Sequence, residues 1–400
     1  MRLPYNRPWL IELADHSSCP HSIREGVQKM LTFMWLNRIF PFQNQAPYIL
    51  ASNVLERVIN EIEFEDQQKQ QIETETVTGT KTGRRIDENS NTPSYADVVI
   101  NGNGQDHINN TKKNEKSQLN IIDFCSGAGG PLKKIEKKIN KNRKSKLLNP
   151  IKFILSDLNP PIDNWKDNYD SIKSLKNNSI SYIPYSVDAT NTNSFLSIEG
   201  EENNILNERH LRTFFLSFHH FNEELARGVL VDAMRNSEGI CIFELQQCNL
   251  RSMIMIAMLG PLTWLLTPLS WPSLSILIFT YIIPIIPLFL IIDGWISVYR
   301  TRSISHILRL TNLASLTIQL ENQNFNKFNN NDKENEQNQT DQTESEIEIE
   351  WKWEFGKIKH TWPWGYMTYI IGRKKIIQDD EEEEEYDDRE TEFGGSHLSE

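Results

Sequence analysis

Three aspartates, each at the end of an apolar run, are the residues in this 400-residue chain best placed to do chemistry. They are Asp123, Asp157 and Asp188. A carboxylate at the C-terminal end of a buried strand can accept hydrogen bonds from the hydroxyl or amino groups of a ligand. The simpler alternatives are a helix cap for Asp157 and a loop cap for Asp188.

A glycine-rich turn follows the first of these aspartates, with the sequence Cys-Ser-Gly-Ala-Gly-Gly over residues 125–130. Glycine permits a tight turn and lets the main chain approach a ligand. Such a turn between a strand and a helix is typical of Rossmann-like domains that bind adenosine-containing cofactors, although a plain loop remains the alternative. Lys133 and Lys134 occupy the place of a third glycine, which argues against a nicotinamide dinucleotide.

A histidine pair, His219 and His220, follows the apolar run 213–218. Imidazole titrates near neutral pH, so either residue is a candidate general base for a hydroxyl acceptor. For His219 we favour a simpler role, a hydrogen bond that orders the pocket, and for His220 both roles stay open. Glu244 ends the next apolar run, where it is expected either to shape the acceptor pocket or to solvate a strand end.

The elements that position these residues alternate between strand and helix. Apolar strands alternating with helices favour a parallel sheet with helices on both faces. Two C-terminal strands have alternating patterns and are expected at an antiparallel edge. The predicted strands are 119–124, 151–156, 180–187, 213–218, 240–245, 313–320, 346–356 and 366–373, and the predicted helices are 131–141, 165–175 and 222–235.

The glycine-rich turn after the first strand, with acids ending the second and third, resembles the class I S-adenosylmethionine-dependent methyltransferase family. The resemblance covers roughly residues 118–250 and the terminal strands, and the histidine pair is similar to its small-molecule branch. It implies an α/β fold with a Rossmann-like doubly wound sheet, mostly parallel with an antiparallel C-terminal edge. S-adenosyl-L-methionine is the implied cofactor.

The resemblance also implies roles for individual residues. Asp123 would order the loop or meet the amino-acid moiety, Asp157 would bind the ribose hydroxyls, and Asp188 would bind the adenine amino group. The family usually has glycine where this chain has Cys125. The implied cofactor-binding residues are Asp123, Gly127, Ala128, Gly129, Asp157, Asp188, Ala189 and Phe218.

Composition divides the chain into six segments. Residues 1–65 are predicted to be a helical extension, either a lid that excludes water, with Glu12 and Asp15 among its polar residues, or an ordinary packing extension. The others are a disordered Asn/Thr/Lys-rich linker (66–117), the methyltransferase-like core (118–250), an apolar membrane hairpin (251–300), C-terminal strands completing the core (301–375, with 323–345 disordered) and an acidic disordered tail (376–400).

The apolar segment has no charged residue between positions 252 and 292. A bilayer span needs about 20 apolar residues, and Pro284 and Pro287 are expected to kink this one. A hairpin dipping into one leaflet or two kinked spans would fit, and a pair of buried helices capping a soluble core is the alternative. Basic residues on both sides favour cytosolic ends; they are Arg251, Arg300, Arg302 and Arg309.

Charge and cysteine content narrow the function further. The net charge of −12 argues against a general nucleic-acid binder. The four cysteines form no C-x-x-C pair, so the sequence predicts no metal site and no disulfide framework. The N-terminus lacks the apolar stretch of a signal peptide.

We therefore expect methyl transfer from S-adenosyl-L-methionine to a small, lipophilic acceptor at the cytosolic face of a membrane. The expected partners are that small-molecule or lipid acceptor and the membrane, with no nucleic acid. The alternative is an inactive methyltransferase-fold membrane protein that acts as a binding or scaffold module.

Overall fold

A seven-stranded mixed sheet organises the computed structural model, which describes residues 10–16, 18–79, 118–169, 179–193, 205–270, 274–333 and 349–376. The strand order is β3-β2-β1-β4-β5-β7-β6. The strands are β1 (Asn120–Asp123), β2 (Phe153–Asp157), β3 (Ile180–Ser186), β4 (His210–Phe215), β5 (Gly239–Glu244), β6 (Ile349–Thr361) and β7 (Gly365–Ile376).

The sheet is parallel from β3 to β5, and β7 runs antiparallel to both β5 and β6. Every residue of β1, β4 and β5 is buried, because helices cover both faces of the sheet. The strand order reverses between β1 and β4, so a crevice for a ligand is expected at their carboxyl ends. The five predicted parallel strands and the antiparallel C-terminal pair are confirmed.

Two helical layers enclose the sheet, and a third group of helices lies at its carboxyl edge. The helices are α1 (His21–Leu36), α2 (Pro47–Gly79), α3 (Leu132–Ser145), α4 (Ile162–Tyr169), α5 (Glu223–Asn236), α6 (Leu250–Ala257), α7 (Leu259–Ser270), α8 (Leu274–Leu277), α9 (Ile285–Arg300) and α10 (Ile304–Lys333). On one face α2 and α3 share a core with the sheet, and on the other face α5 and α10 do so.

The predicted strand 313–320 is wrong, because this stretch lies inside α10. Ile307, Leu310 and Ala314 are buried at helical spacing in the core shared with α5. The stretch 313–320 therefore continues a helical repeat that begins before it, with Ala314 buried and Leu313, Leu316 and Leu320 exposed.

Two stretches predicted to be disordered are also helical at their borders. The first, 67–79, belongs to α2, and the second, 323–333, belongs to α10. The rest of the predicted linkers, at 80–117 and 334–345, and the acidic tail from residue 377 onward lie outside the described residues.

The apolar segment forms α6 to α9, with a π-helical turn over Ile278–Ile282. Its inner side packs on α1, where Ile286 and Leu290 join a core with Val27 and Met30. Taken together, α6 and most of α7 form one helical stretch, Leu250–Pro268, that is long and apolar enough to cross a membrane. Within its 18-residue apolar window, 22% of the residues are buried. The helices Leu274–Ile282 and Ile285–Arg300 meet at 74° beside Pro284, which confirms the predicted kink.

The arginines flanking this segment do not form the expected basic border. Arg300 is 6% exposed, and its guanidinium lies 3.3 Å from the Glu12 carboxylate. Arg302 donates to the backbone oxygens of Phe218 and Phe221. Arg251 and Arg309 are exposed, so two of the four flanking arginines lie at the surface and two make contacts inside the molecule.

Candidate functional site

The glycine-rich turn contains four residues with left-handed backbone conformations. The φ angles are 55° at Cys125, 49° at Gly127, 94° at Gly129 and 41° at Gly130. Glycine takes such angles without steric cost, whereas an L-residue with a Cβ loses about 1 kcal/mol or more. The turn therefore requires its glycines, and Cys125 adopts a conformation that favours the residue typical of the family.

Asp157 fixes the position of Gly127 from the neighbouring strand. Its carboxylate accepts a 2.9 Å hydrogen bond from the Gly127 N–H and a 2.8 Å bond from the Asn159 N–H. On the other side, the indole of Trp165 donates to the Gly127 carbonyl at 2.9 Å. Trp165 is fully buried, so Gly127 is held from two sides by groups that do not belong to the turn.

Asp123 lies beneath the same turn and is 3% exposed. Its carboxylate accepts hydrogen bonds from the Ser126 hydroxyl at 2.7 Å and the Thr213 hydroxyl at 3.1 Å. Burial, with a smaller contribution from the negative charge of Asp157, raises the pKa of Asp123 to about 7 despite these bonds. Asp123 therefore orders the turn and can change its charge near neutral pH.

The remaining predicted cofactor residues lie in different environments. Asp188 is exposed, and one of its oxygens accepts bonds from the N–H and hydroxyl of Thr190. Ala189 is buried and Ala128 is partly buried. Phe218 is 2% exposed and packs against Phe214 and Phe221, so it belongs to the core and not to the turn.

The histidine pair occupies a 3-10 turn, Phe218–His220, immediately after β4. Leu216 enters this turn with a φ of 56°, an uncommon angle for a residue with a branched side chain. His219 is 2% exposed, and both its backbone N–H and its Nδ1 contact the Glu244 carboxylate, at 3.1 and 2.9 Å. Glu244 therefore fixes the orientation of His219 at the end of β5.

The second partner of the histidines comes from the N-terminal segment. One oxygen of Glu12 lies 3.5 Å from His219 Nε2, and the other lies 4.0 Å from His220 Nε2. The Asp15 carboxylate lies 3.3 Å from His220 Nδ1. The first oxygen of Glu12 also accepts a 2.7 Å hydrogen bond from Ser297 of α9, so three distant parts of the chain meet here.

These charges oppose the effect of burial on the pKa values. Burial lowers the pKa of His219, but the negative charges of Glu244 and Glu12 and the hydrogen bond to Glu244 outweigh it and raise the pKa to about 10. For Glu12, burial raises the pKa, but the close approach of His219 and the charges of both histidines lower it to about 2. In this arrangement the His219 imidazole is a cation near neutral pH and not a free base.

A cavity of about 580 Å³ extends from the histidines toward the apolar helices. Its walls are mainly apolar and come from α1, α6, α7 and the turn between β6 and β7. The polar groups converge at one end, where Glu12, His219, His220 and Asp293 lie. Representative apolar lining residues are Leu31, Met34, Trp35, Leu216, Met255, Ile256, Leu259, Leu262, Leu265 and Trp362.

The structure brings together most residues singled out from the sequence. Asp123, Asp157 and Gly127 meet at the turn, and His219 meets Glu244 and Glu12. Asp293 lies beside them and accepts hydrogen bonds from the N–H groups of Leu13 and Ala14, at 2.6 and 2.9 Å.

Two positioning residues, Trp165 and Ser297, have no recognisable signal in the sequence. Trp165 sits in a short polar helix, where a single buried aromatic residue is not distinctive. Ser297 is one hydroxyl at the end of a long apolar segment, and its partner Glu12 is 285 residues away.

No protein-family model matches this chain, and no curated protein matches it either. Similar solved structures include the pyocyanin biosynthetic protein PhzM, at 10% identity over 65% of this chain and 51% of that one, with a TM-score of 0.31. The DszA carbon methyltransferase gives 9% identity, 66% and 49% coverage and a TM-score of 0.33. PigF with SAH gives 15% identity, 65% and 51% coverage and a TM-score of 0.28.

This chain thus spans about half the length of these three proteins. All three TM-scores are below 0.5, so the fold assignment rests on the strand order. The sheet is parallel from β3 to β5, its order reverses between β1 and β4, and the antiparallel strand β7 lies between β5 and β6. This is the mostly parallel α/β sheet with an antiparallel C-terminal edge that the sequence led us to expect.

Proposed function

We propose that this protein transfers a methyl group from S-adenosyl-L-methionine to a small, largely apolar acceptor at the cytosolic face of a membrane. One observation carries the proposal: the glycine-rich turn and the polar end of the cavity lie on neighbouring strands. β1 and β4 are hydrogen-bonded to each other, and the turn follows β1 while the histidines follow β4. A cofactor on the turn and an acceptor in the cavity would therefore be adjacent.

The residues of the turn fit an adenosine-containing cofactor. A Cβ atom placed on Gly127 or Gly130 would meet no atom within 4 Å, so there is open space above the backbone for a ligand. The carboxylates that follow or end the first three strands all lie near Cys125 in this turn, which suits a ligand with hydroxyl and amino groups. When bound, S-adenosyl-L-methionine supplies a methyl group already activated by a sulfonium, and the protein has to bind and orient the reactants.

Each acid has a specific task in this proposal. Asp157, hydrogen-bonded to the Gly127 N–H, holds the ribose hydroxyls close to the turn. Asp188, exposed at the end of β3, accepts from the adenine amino group. Asp123 faces the ammonium of the methionine moiety, whose positive charge favours its ionised form.

The cavity supports an acceptor with an apolar body and a polar head. Aliphatic and aromatic side chains line most of its length, and they exclude water from the reaction. The four ionisable groups at its polar end would bind a heteroatom of the acceptor. His219 is enclosed by Glu244 and Glu12, so we assign it to the orientation of this group and not to general-base catalysis.

Membrane attachment rests on the exposed apolar surface of α6 to α9. Soluble proteins seldom expose large contiguous apolar patches, and a bilayer is the partner that would cover this one. The residues that carry it are Leu250, Met258, Leu265, Leu274, Ile282, Ile283 and Leu288, each at least half exposed. Trp264 and Trp295 lie on the same helices and suit the interfacial region.

Calorimetry with S-adenosylhomocysteine tests the cofactor assignment. We expect binding by the wild type, loss of binding in Gly127→Arg and at least tenfold weaker binding in Asp157→Ala. Asp163→Ala, which removes an exposed acid in the first turn of α4, serves as the matched control and should bind normally. An inability of the wild type to bind would contradict the proposal and favour a scaffold that retains the fold without the activity.

The acceptor class needs a separate experiment. Purified protein and radiolabelled S-adenosyl-L-methionine are incubated with the lipid fraction and the aqueous fraction of the same cell extract. We expect label in the lipid fraction, and label in soluble compounds alone would refute a lipophilic acceptor. Resistance of the protein to alkaline carbonate extraction would support an integral hairpin, and complete release would contradict it.

A further inference from the structure

We propose that Glu12, His219 and His220 form a binding site for a divalent transition-metal ion, with its open coordination positions toward the apolar cavity. One possible ligand atom from each of the three side chains lies within 4.8 Å of those of the other two. The sequence predicted no metal site because its four cysteines show no metal-ligand spacing. The site becomes visible only when residue 12 is placed beside residue 219 by the fold.

The geometry is close to what a metal requires. Ligand atoms of a tetrahedral zinc are about 3.3 Å apart when the bonds are about 2.0 Å long. His219 Nε2 lies 3.5 Å from Glu12, and His220 Nε2 lies 4.0 Å from it. Small rotations of His220 and Glu12 would complete the site, and both residues border the cavity, where such movement has room.

Each histidine already has the outer partner that metal-bound histidines usually have. A carboxylate on Nδ1 fixes the orientation of the ring, and a metal ion that displaces the proton on Nε2 binds at that nitrogen. Glu244 contacts His219 Nδ1 at 2.9 Å, and Asp15 contacts His220 Nδ1 at 3.3 Å. Two carboxylate–histidine pairs thus point their Nε2 atoms at one further carboxylate.

Glu12 is held in a corresponding way. Ser297 donates to its Oε1 at 2.7 Å, and Arg300 lies 3.3 Å from the same atom. The oxygen nearest to His220 is Oε2. Oε1 lies nearest to His219 Nε2 and Oε2 nearest to His220 Nε2, so the carboxylate faces both histidines while Ser297 and Arg300 hold it in place through Oε1.

The buried nitrogen of His219 provides independent support. His219 Nε2 is enclosed and makes no hydrogen bond of good geometry within the described part of the chain, and its nearest acceptor is the Glu12 oxygen 3.5 Å away. Buried polar nitrogens are nearly always satisfied. A metal ion between these atoms would satisfy both of them.

The local charge also favours a cation. Glu12, Asp15 and Glu244 contribute three carboxylates around the histidines, and the neighbouring cation that opposes them is Arg300. Two imidazoles and a carboxylate suit Zn²⁺, Fe²⁺ or Co²⁺ better than Mg²⁺ or Ca²⁺, which prefer oxygen ligands.

This inference rests on the proposed function and specifies the chemical class of the acceptor's polar head. Three protein ligands leave at least one position open, as in catalytic zinc sites. An oxygen of the acceptor would bind there and lose its proton to water more readily, because the metal lowers the pKa of a bound hydroxyl. We therefore expect an acceptor with a hydroxyl or enol oxygen at one end of an apolar body.

The test is cobalt and zinc binding by the full-length, chelator-treated protein. We expect one Co²⁺ per chain with visible ligand-field absorption, displaced by Zn²⁺. Glu12→Gln and His220→Ala should each weaken binding about 100-fold, and Asp15→Asn about tenfold as an outer partner. His306→Ala is the matched control, since this histidine lies beside a carboxylate, 3.8 Å from Glu223, but does not belong to the cluster, and the variant should bind as the wild type does.

Calorimetry with S-adenosylhomocysteine on the same preparations separates this inference from the proposed function. Variants that keep cofactor binding and lose Co²⁺ binding are folded and support the metal site. Co²⁺ affinity that is equal in wild type, Glu12→Gln and His220→Ala would overturn it. In that case intact cofactor binding would leave the methyltransferase proposal standing, with the cluster acting as an ion-pair network.

Discussion

The glycine-rich turn and the polar end of the cavity border the same edge of the sheet but are assembled in different ways. The hydrogen bonds that hold Gly127 join residues 30 and 38 positions apart. The bonds that hold the N-terminal segment at the cavity join residues 280 and 285 positions apart. The turn thus depends on local backbone geometry, whereas the cavity depends on packing between distant segments.

The largest expected effect is at the polar end of the cavity. Glu244→Ala should destabilise the protein by about 3 kcal/mol, because it leaves the buried His219 without its main partner. Urea unfolding measures this loss. The matched change Glu238→Ala, at a partly exposed ion pair with Arg209, should cost less than about 1 kcal/mol. Equal effects of both changes would mean that the buried pair does not hold the cavity together.

The second prediction tests whether the two regions are independent. Gly129→Val should weaken S-adenosylhomocysteine binding about 100-fold, because a β-branched residue cannot adopt a φ of 94° without distorting the turn. Binding of an apolar fluorescent probe in the cavity should stay unchanged. Asp163→Ala is the control, since Asp163 is exposed in the first turn of α4 and lies outside the glycine-rich turn. A simultaneous loss of probe binding would show that turn and cavity form one unit.

The third prediction concerns pH and the turn alone. The folded-state pKa of Asp123 is raised to about 7, so this residue takes up a proton as the pH falls below 7. A bound ammonium favours the ionised form, and binding at low pH must then release that proton. Affinity for S-adenosylhomocysteine should fall about tenfold from pH 8 to pH 6. Asp123→Asn should flatten the profile, and a slope that persists in this variant would assign the titration to another group.

The smallest expected effect concerns the departure at Cys125. Cys125→Gly should raise the free energy of unfolding by about 0.5–1 kcal/mol, because glycine relieves the strain of a φ of 55° at a modest entropic cost. Denaturant unfolding would show it, with cofactor affinity unchanged or slightly higher. A destabilised Cys125→Gly variant would indicate that the cysteine side chain contributes more by packing than it loses in backbone strain.

The same contrast explains what could be predicted from the sequence. Asp123, Gly127 and Asp157 were identified because strand ends and glycine turns leave short patterns in the chain. The eight residues 313–320 taken alone predict a strand, because they do not include Ile307 and Leu310, which establish the buried face of the helix. Short windows describe local preference and not the packing that overrides it.

The polar end of the cavity shows the limit more sharply. The sequence indicates a role for His219 and His220 because they follow an apolar run, whereas it places Glu12 only within an N-terminal extension. No pattern in the sequence links residue 12 to residue 219 or to Ser297, because the link is made by the folding of α9 against the N-terminal segment. Two of the four flanking arginines, Arg300 and Arg302, contact groups inside the molecule, which no local pattern in the sequence indicates.

The hydrogen bonds from Leu13 and Ala14 to Asp293 also determine the order in which the parts can form during synthesis. The groups that hold the glycine-rich turn are complete once Thr213 has left the ribosome. The cavity cannot form until Asp293 has been synthesised. Its last wall forms only when Trp362 is present, because the Trp362 N–H donates to the Phe42 carbonyl at 2.7 Å. At roughly 5–20 residues per second, about 7–30 s separate the two events. During synthesis the glycine-rich turn can therefore fold while the apolar cavity is still incomplete and accessible to chaperones.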